Sequence, residues 1–142
     1  MKRIFFLMLL LTFLSCKRDN VDGIVIGDTL LENQSLSENR MLETLITSTL
    51  KGDHNSLRKL NNFECNSAGC YDLGYVITQI IYKMGEPTFN KMIDKLDEKE
   101  IGSINGYIAV GLEYGDNNHD GKMDDKKSEN EFPILMKKLS EK

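Results

Sequence analysis

Leu73-Gly74-Tyr75-Val76-Ile77-Thr78-Gln79-Ile80-Ile81-Tyr82-Lys83-Met84 is the stretch that decides the fold. From about Tyr71 onward, Leu73, Val76, Ile77, Ile80, Ile81 and Met84 recur at helical spacing. They also spread around most of the helix circumference, so this helix is expected at the centre of the molecule. Gly85 ends it. Glu86-Pro87 then opens another helix, because a first turn does not need the N–H that proline lacks. Phe89, Met92, Ile93 and Leu96 lie on one face of that second helix.

Similar pairs flank this unit. On the N-terminal side Ser35 and Glu38 have the spacing of a capping box, and Met41, Leu42, Leu45, Ile46 and Leu50 follow at helical spacing up to Gly52. Asp53 can cap a short helix presenting Leu57, Leu60 and Phe63. On the C-terminal side Ile101, Ile104, Tyr107, Ile108, Gly111 and Leu112 suit a helix. Gly102, Gly106 and Gly111 weaken it, and Asn105-Gly106 could instead turn into a strand over 107–114. The helix is preferred because the neighbouring units repeat that way.

The repeat is visible in the residues. Gly74-Tyr75-Val76-Ile77 parallels Gly106-Tyr107-Ile108-Ala109, and the segment from Phe89 to Lys99 parallels that from Phe132 to Lys142. Residues 38–62 give a weaker first copy. The expected fold is therefore all-α, with three helical hairpins. Their period resembles that of HEAT-like repeats, and a small helical bundle fits the same pattern equally well.

Aligning the copies exposes an insertion. Four positions separate Gly85 from Phe89, but seventeen separate Gly115 from Phe132, an excess of thirteen. The insertion contains Asp116-Asn117-Asn118-His119-Asp120-Gly121-Lys122-Met123-Asp124. Oxygen-bearing side chains at its first, third, fifth and ninth places, with glycine sixth, are what a hard divalent cation requires of a short loop. Residues 116–127 resemble an EF-hand calcium loop. The resemblance implies ligation by Asp116, Asn118, Asp120, the Lys122 carbonyl and Asp124, with Met123 docking the loop on the core. Lys127 departs from it, standing where that family has a bidentate glutamate; Asp125 or Glu129 are candidate substitutes. The resemblance thus implies a weak or structural calcium site. The same composition also suits a solvated acidic turn.

The N-terminus carries an address. Lys2 and Arg3 precede an apolar run from Ile4 to Leu14, about eleven residues against the roughly twenty of a membrane span. It ends at Ser15-Cys16. Residues 1–16 resemble a bacterial lipoprotein signal, although Phe13 stands where that family usually has leucine. The resemblance implies cleavage of residues 1–15, lipidation of Cys16 and, since Lys17 follows, the outer membrane. Residues 16–34 are expected to be a mostly irregular tether, its Ile24-Val25-Ile26 run too short to bury itself. Residues 35–142 form the single helical domain.

The chain has 18 basic and 22 acidic residues. Loss of Lys2 and Arg3 with the signal makes the balance more acidic, which argues against a nucleic-acid partner. Cys65 and Cys70 are a pair separated by small, turn-forming residues, read as a structural disulfide contributing about 2 kcal/mol by chain entropy. Only His54 and His119 could assist a zinc site, and neither is placed to do so. There is no phosphate-binding glycine loop, Gly-x-Ser-x-Gly elbow or His-Glu-x-x-His. Glu100 and Glu113 could be imagined as an acid/base pair, but nothing in the sequence pins their distance, and solvated carboxylates are the preferred reading.

The sequence therefore points to a non-enzymatic cell-envelope lipoprotein that binds another protein and carries a structural calcium site. An immunity or inhibitor protein that neutralises a toxin is one specific version. The alternative is a cell-envelope hydrolase using carboxylates not identified by motif.

Overall fold

The elements begin where the sequence supplies caps. The structure, a computed structural model, describes residues 19–141; the signal segment and Cys16 lie outside the described residues. A two-residue hairpin, β1 (Asn20–Val21) and β2 (Ile24–Val25), pairs antiparallel with Val21 opposite Ile24. The helices follow: α1 (Asp28–Glu32), α2 (Leu36–Leu50), α3 (His54–Asn61), α4 (Ser67–Met84), α5 (Glu86–Ile93), α6 (Glu98–Tyr114), α7 (Ser128–Glu131) and α8 (Pro133–Ser140). The fold is all-α apart from the hairpin.

Side-chain caps at the N-cap position explain three of the eight helix starts among the described residues. Ser35 accepts from the Glu38 amide while Glu38 accepts from the Ser35 amide at 2.7 Å, closing the expected box at α2. Asp97 and Glu100 form a second such box at α6, with both bonds at 2.9 Å. The Asp53 carboxylate caps α3 by accepting from Asn55 N. Proline lies in the first turn of both α5 and α8, where its missing donor costs nothing.

α4 is the centre. Its Leu73, Val76, Ile77, Ile80 and Ile81 are fully enclosed, and it packs on α1, α2, α5, α6 and β2. The hairpins α2–α3, α4–α5 and α6–α8 stack like on like: α2 on α4, α4 on α6, α3 on α5, and α5 on α8. That is a helical-repeat-like arrangement. The preferred helix over 104–114 is present despite its glycines, because tertiary packing outweighs propensity.

The most extensive contact, α4 against α6, depends on two of those glycines. A Cβ on Gly74 would stand 2.6 Å from Tyr107 O, and one on Gly111 would stand 2.2 Å from Gly74 O. Bare backbone at both positions lets the helix axes approach more closely than larger residues permit. The Cys65–Cys70 disulfide closes at the start of α4, with Cα atoms 5.1 Å apart. The Tyr107 hydroxyl lies 3.5 Å from Cys65 Sγ.

Residues 19–34 correct the expected tether. Val21, Ile24, Ile26, Leu30 and Leu31 are all buried in the one core. Ile24 and Ile26 need no larger sheet because α4 supplies the missing partners. Gln79 Oε1 accepts from Val25 N and its Nε2 donates to Val25 O, each at 2.8 Å. Asp72 Oδ2 accepts from Leu30 N at 2.9 Å, capping α1 where Gly27 at the cap has no side chain.

Candidate metal centre

The acidic insertion leaves the end of α6 and returns along it. Asp124 N donates to Gly115 O, Asp125 N to Glu113 O and Lys126 N to Leu112 O, at 2.9 to 3.1 Å. These bonds satisfy carbonyls that the last turn of a helix leaves without partners. The segment after Asp124 is irregular, with left-handed backbone at Asp125 (φ 49°), and the next helix begins only at Ser128. An EF-hand would enter a helix at this point. The departure at Lys127 has its physical counterpart here, since that residue has been carried beyond the returning segment to the cap of α7.

Within the loop, side-chain oxygens organise backbone amides. Asp116 Oδ1 accepts from Asp120 N and its Oδ2 from Gly121 N, both at 2.9 Å. Asn118 Oδ1 accepts from Asp120 N at 3.0 Å, and Asp120 Oδ1 from Lys122 N at 2.9 Å. The turn requires left-handed backbone at His119 and Gly121, with φ of 59° and 81°. Each of these oxygens keeps lone-pair capacity for a cation. Among the described residues no group of three or more His, Cys, Asp and Glu side chains is gathered as a metal-holding cluster. Asp116, Asp120 and Asp124 are three such side chains, so the loop as it stands does not bring them round one point.

Asp124 differs from the other acidic residues. Its side chain is 1% exposed, and Oδ2 accepts from Asn117 N at 2.8 Å and lies 3.5 Å from Lys126 Nζ. Its Oδ1 is buried with no hydrogen-bond partner. A carboxylate oxygen removed from water without a donor is costly unless a charge compensates it. Lys126 supplies one such charge on the Oδ2 side, and the oxygen donors of Asp116, Asn118, Asp120 and Asp124 are of the kind that calcium takes.

The loop is also fastened to the core by residues that the motif does not include. Tyr75 donates to Asp116 O, and Thr78 to Asn117 Oδ1, both at 2.8 Å. Asn117 Nδ2 donates to Gly111 O at 2.9 Å. Burial, reinforced by the negative charges of Asp116 and Asp124, raises the Tyr75 phenol above its ordinary value. Tyr75 and Thr78 stand three residues apart on one face of α4, a spacing legible in the sequence, but their partner was not. Met123, expected to dock the loop, is instead 68% exposed. Asn117 does that work through hydrogen bonds.

The proposed substitutes for the twelfth ligand lie elsewhere. Asp125 is beside Glu113 and Tyr114 at the end of α6, and Glu129 lines a cleft with Asn105 and Pro133. Glu100 and Glu113 share one helix thirteen residues apart, about 20 Å along its axis at 1.5 Å per residue. Glu100 is further committed to Arg58 Nε at 2.9 Å and to the α6 capping box. These two carboxylates do not form an acid/base pair.

Compared with protein-family models, curated proteins and solved structures, the chain gives no match. Its function is argued from its own residues.

Proposed function

We propose that this chain is a cell-envelope lipoprotein, anchored through Cys16, that acts by binding another protein and is not an enzyme. In this reading a calcium ion closes the 116–124 loop through Asp116, Asn118, Asp120, the Lys122 carbonyl and Asp124. The observation that carries the ion is the buried, unpartnered Asp124 Oδ1 beside the acidic turn. With no carboxylate at Lys127 the site is weak and structural, in the range of extracellular modules rather than sensors. Its role is to hold the returning segment, and with it α7 and α8, against α6.

Stacked helical hairpins offer broad faces for protein contact, and the argument here is one of fold. Leu36 and Met41 are exposed on α2, and Met41 borders a cleft lined by Leu45 and Phe63. An exposed apolar edge beside a groove is the kind of surface that a partner covers. A toxin-neutralising immunity or inhibitor protein is the specific version, with an outer-membrane location implied by Lys17.

Calcium titration of the mature chain, by calorimetry and thermal melting beside Asp120→Ala, tests the ion. A ligand bound only by the folded state must raise the melting temperature once its concentration exceeds its dissociation constant. A calcium-dependent rise that Asp120→Ala abolishes supports the site; no response at millimolar calcium removes it. Affinity capture from envelope extract tests the partner. Retention of one protein by the wild type but not by Met41→Glu supports the reading, while no stoichiometric partner at high bait concentration counts against it.

A further inference from the structure

The lipoprotein reading, on which this inference rests, acquires a geometric consequence from the burial of residues 19–34. The chain is fixed from its first described residues: Ile26 N donates to Asp19 O at 2.7 Å, and Val21 is in the core. Cys16 is three peptide steps from Asp19. Whatever conformation those steps take, they span at most about 11 Å at about 3.6 Å each. A lipid on Cys16 is thus held close to the hairpin, without the free tether that the sequence suggested.

We propose that the face formed by the hairpin and α2 rests on the phospholipid headgroup layer. This face holds a polar cleft of about 530 Å³ lined by Asn20, Asp22, Glu43, Thr44, Thr47 and Lys51. It is built firmly: Thr47 Oγ1 donates to Asp22 Oδ2 at 2.7 Å, and Lys83 Nζ donates to Asp22 O. The residues between anchor and fold, Lys17 and Arg18, are both basic and offset Asp22 and Glu43 of the face, so the acyl chains and the short link, not charge, hold this face to the bilayer. Acyl chains on one side and a rooted hairpin on the other leave the domain little freedom to tumble. The partner must then approach α5, α6 or α8, or the outer edge of α2.

The test uses the full chain, produced with its signal, purified in acylated form and placed in vesicles of phosphatidylethanolamine and phosphatidylglycerol. Single cysteines at Thr44 and at Lys137, the latter on α8, carry a fluorophore, and a second set of vesicles carries a headgroup-linked quencher. The expected result is several-fold stronger quenching at 44 than at 137. Insertion of twenty Gly/Ser residues between Arg18 and Asp19 should remove the difference. Equal quenching at both sites in a chain whose mass shows acyl groups on Cys16 overturns the proposal alone. A mass showing no acylation overturns the lipoprotein reading and this proposal with it.

Discussion

Gly111 approaches Gly74 so closely that a Cβ on it would also stand 2.8 Å from Thr78 Cγ2. The contact is backbone against backbone, so neither helix can yield by turning a side chain. Gly111→Ala should cost at least 1–3 kcal/mol in urea denaturation, the range for overpacking a close contact. Gly102→Ala, on the same helix but facing open space, should stabilise by about 0.4–1 kcal/mol. Equal effects of the two would mean that helix propensity, not the crossing of α4 and α6, governs these positions.

Asp124→Asn separates the two consequences of a buried carboxylate. The variant keeps an acceptor for Asn117 N and removes a buried carboxylate whose Oδ1 has no donor, at the loss of the 3.5 Å ion pair with Lys126, so in chelator it should melt at or above the wild-type temperature. In calcium the order should reverse, because the variant has lost an ionic ligand. Melting curves in both conditions read the crossing. A variant less stable than wild type in chelator would show that Lys126 already satisfies the carboxylate.

The remote cap of α1 can be removed from either end. Asp72→Ala should cost about 1 kcal/mol, the usual loss for an N-cap. Gly27→Ala should also destabilise, since a Cβ there would fall 2.1 Å from Asp72 Cγ. Burial raises the Asp72 carboxyl above its ordinary value, ahead of the opposing backbone bonds. The folded state therefore favours its proton. The stability from this group is fully present below the ordinary aspartate value, about pH 4, and is lost as pH rises through the folded value. Asp72→Asn should flatten that acid-side dependence in denaturation curves measured across it.

At the alkaline end tyrosines dominate. Burial, then the hydrogen bond to Glu131, pushes Tyr82 upward; burial alone raises Tyr107; and a bond to Glu113 raises Tyr114. In each case the fold favours the neutral phenol. Their contribution is complete below the ordinary phenol value of about 10 and disappears as pH climbs through the raised folded values. Stability should hold to about pH 10 and then fall, with phenolate absorbance appearing together with unfolding. Tyr82→Phe should soften that fall and lose the 2.6 Å bond that fastens Glu131 of α7.

Reduction of Cys65–Cys70 closes the series. Paired Cys→Ala substitution should lower stability by about 2 kcal/mol on the chain-entropy account. It should also loosen the first turn of α4, which circular dichroism and local hydrogen exchange would report. An unchanged first turn would assign the start of α4 to packing alone.

What the sequence made legible was whatever depends on near neighbours. Helical spacing, the Ser35–Glu38 box, the Asp53 cap and the prolines of α5 and α8 all act within a turn or two. What it hid depends on partners far along the chain. The Ile24-Val25-Ile26 run looks unable to bury itself because its completing group, Gln79, stands 54 positions from Val25, and the Asp72 cap of α1 likewise stands 42 positions from Leu30. The acidic loop was legible as a ligand pattern, but its path after Asp124 was not. That path is set by the unpaired carbonyls of Leu112, Glu113 and Gly115, which local periodicity does not reveal.

Gln79 carries one more consequence. By offering its amide N–H and C=O to Val25, one helix side chain imitates the peptide group of an adjacent strand. Exposed strand borders are where separate chains begin to zip together into aggregates. At Val25 that border is already closed from within the same molecule. The molecule thus keeps its small sheet out of reach of neighbouring copies.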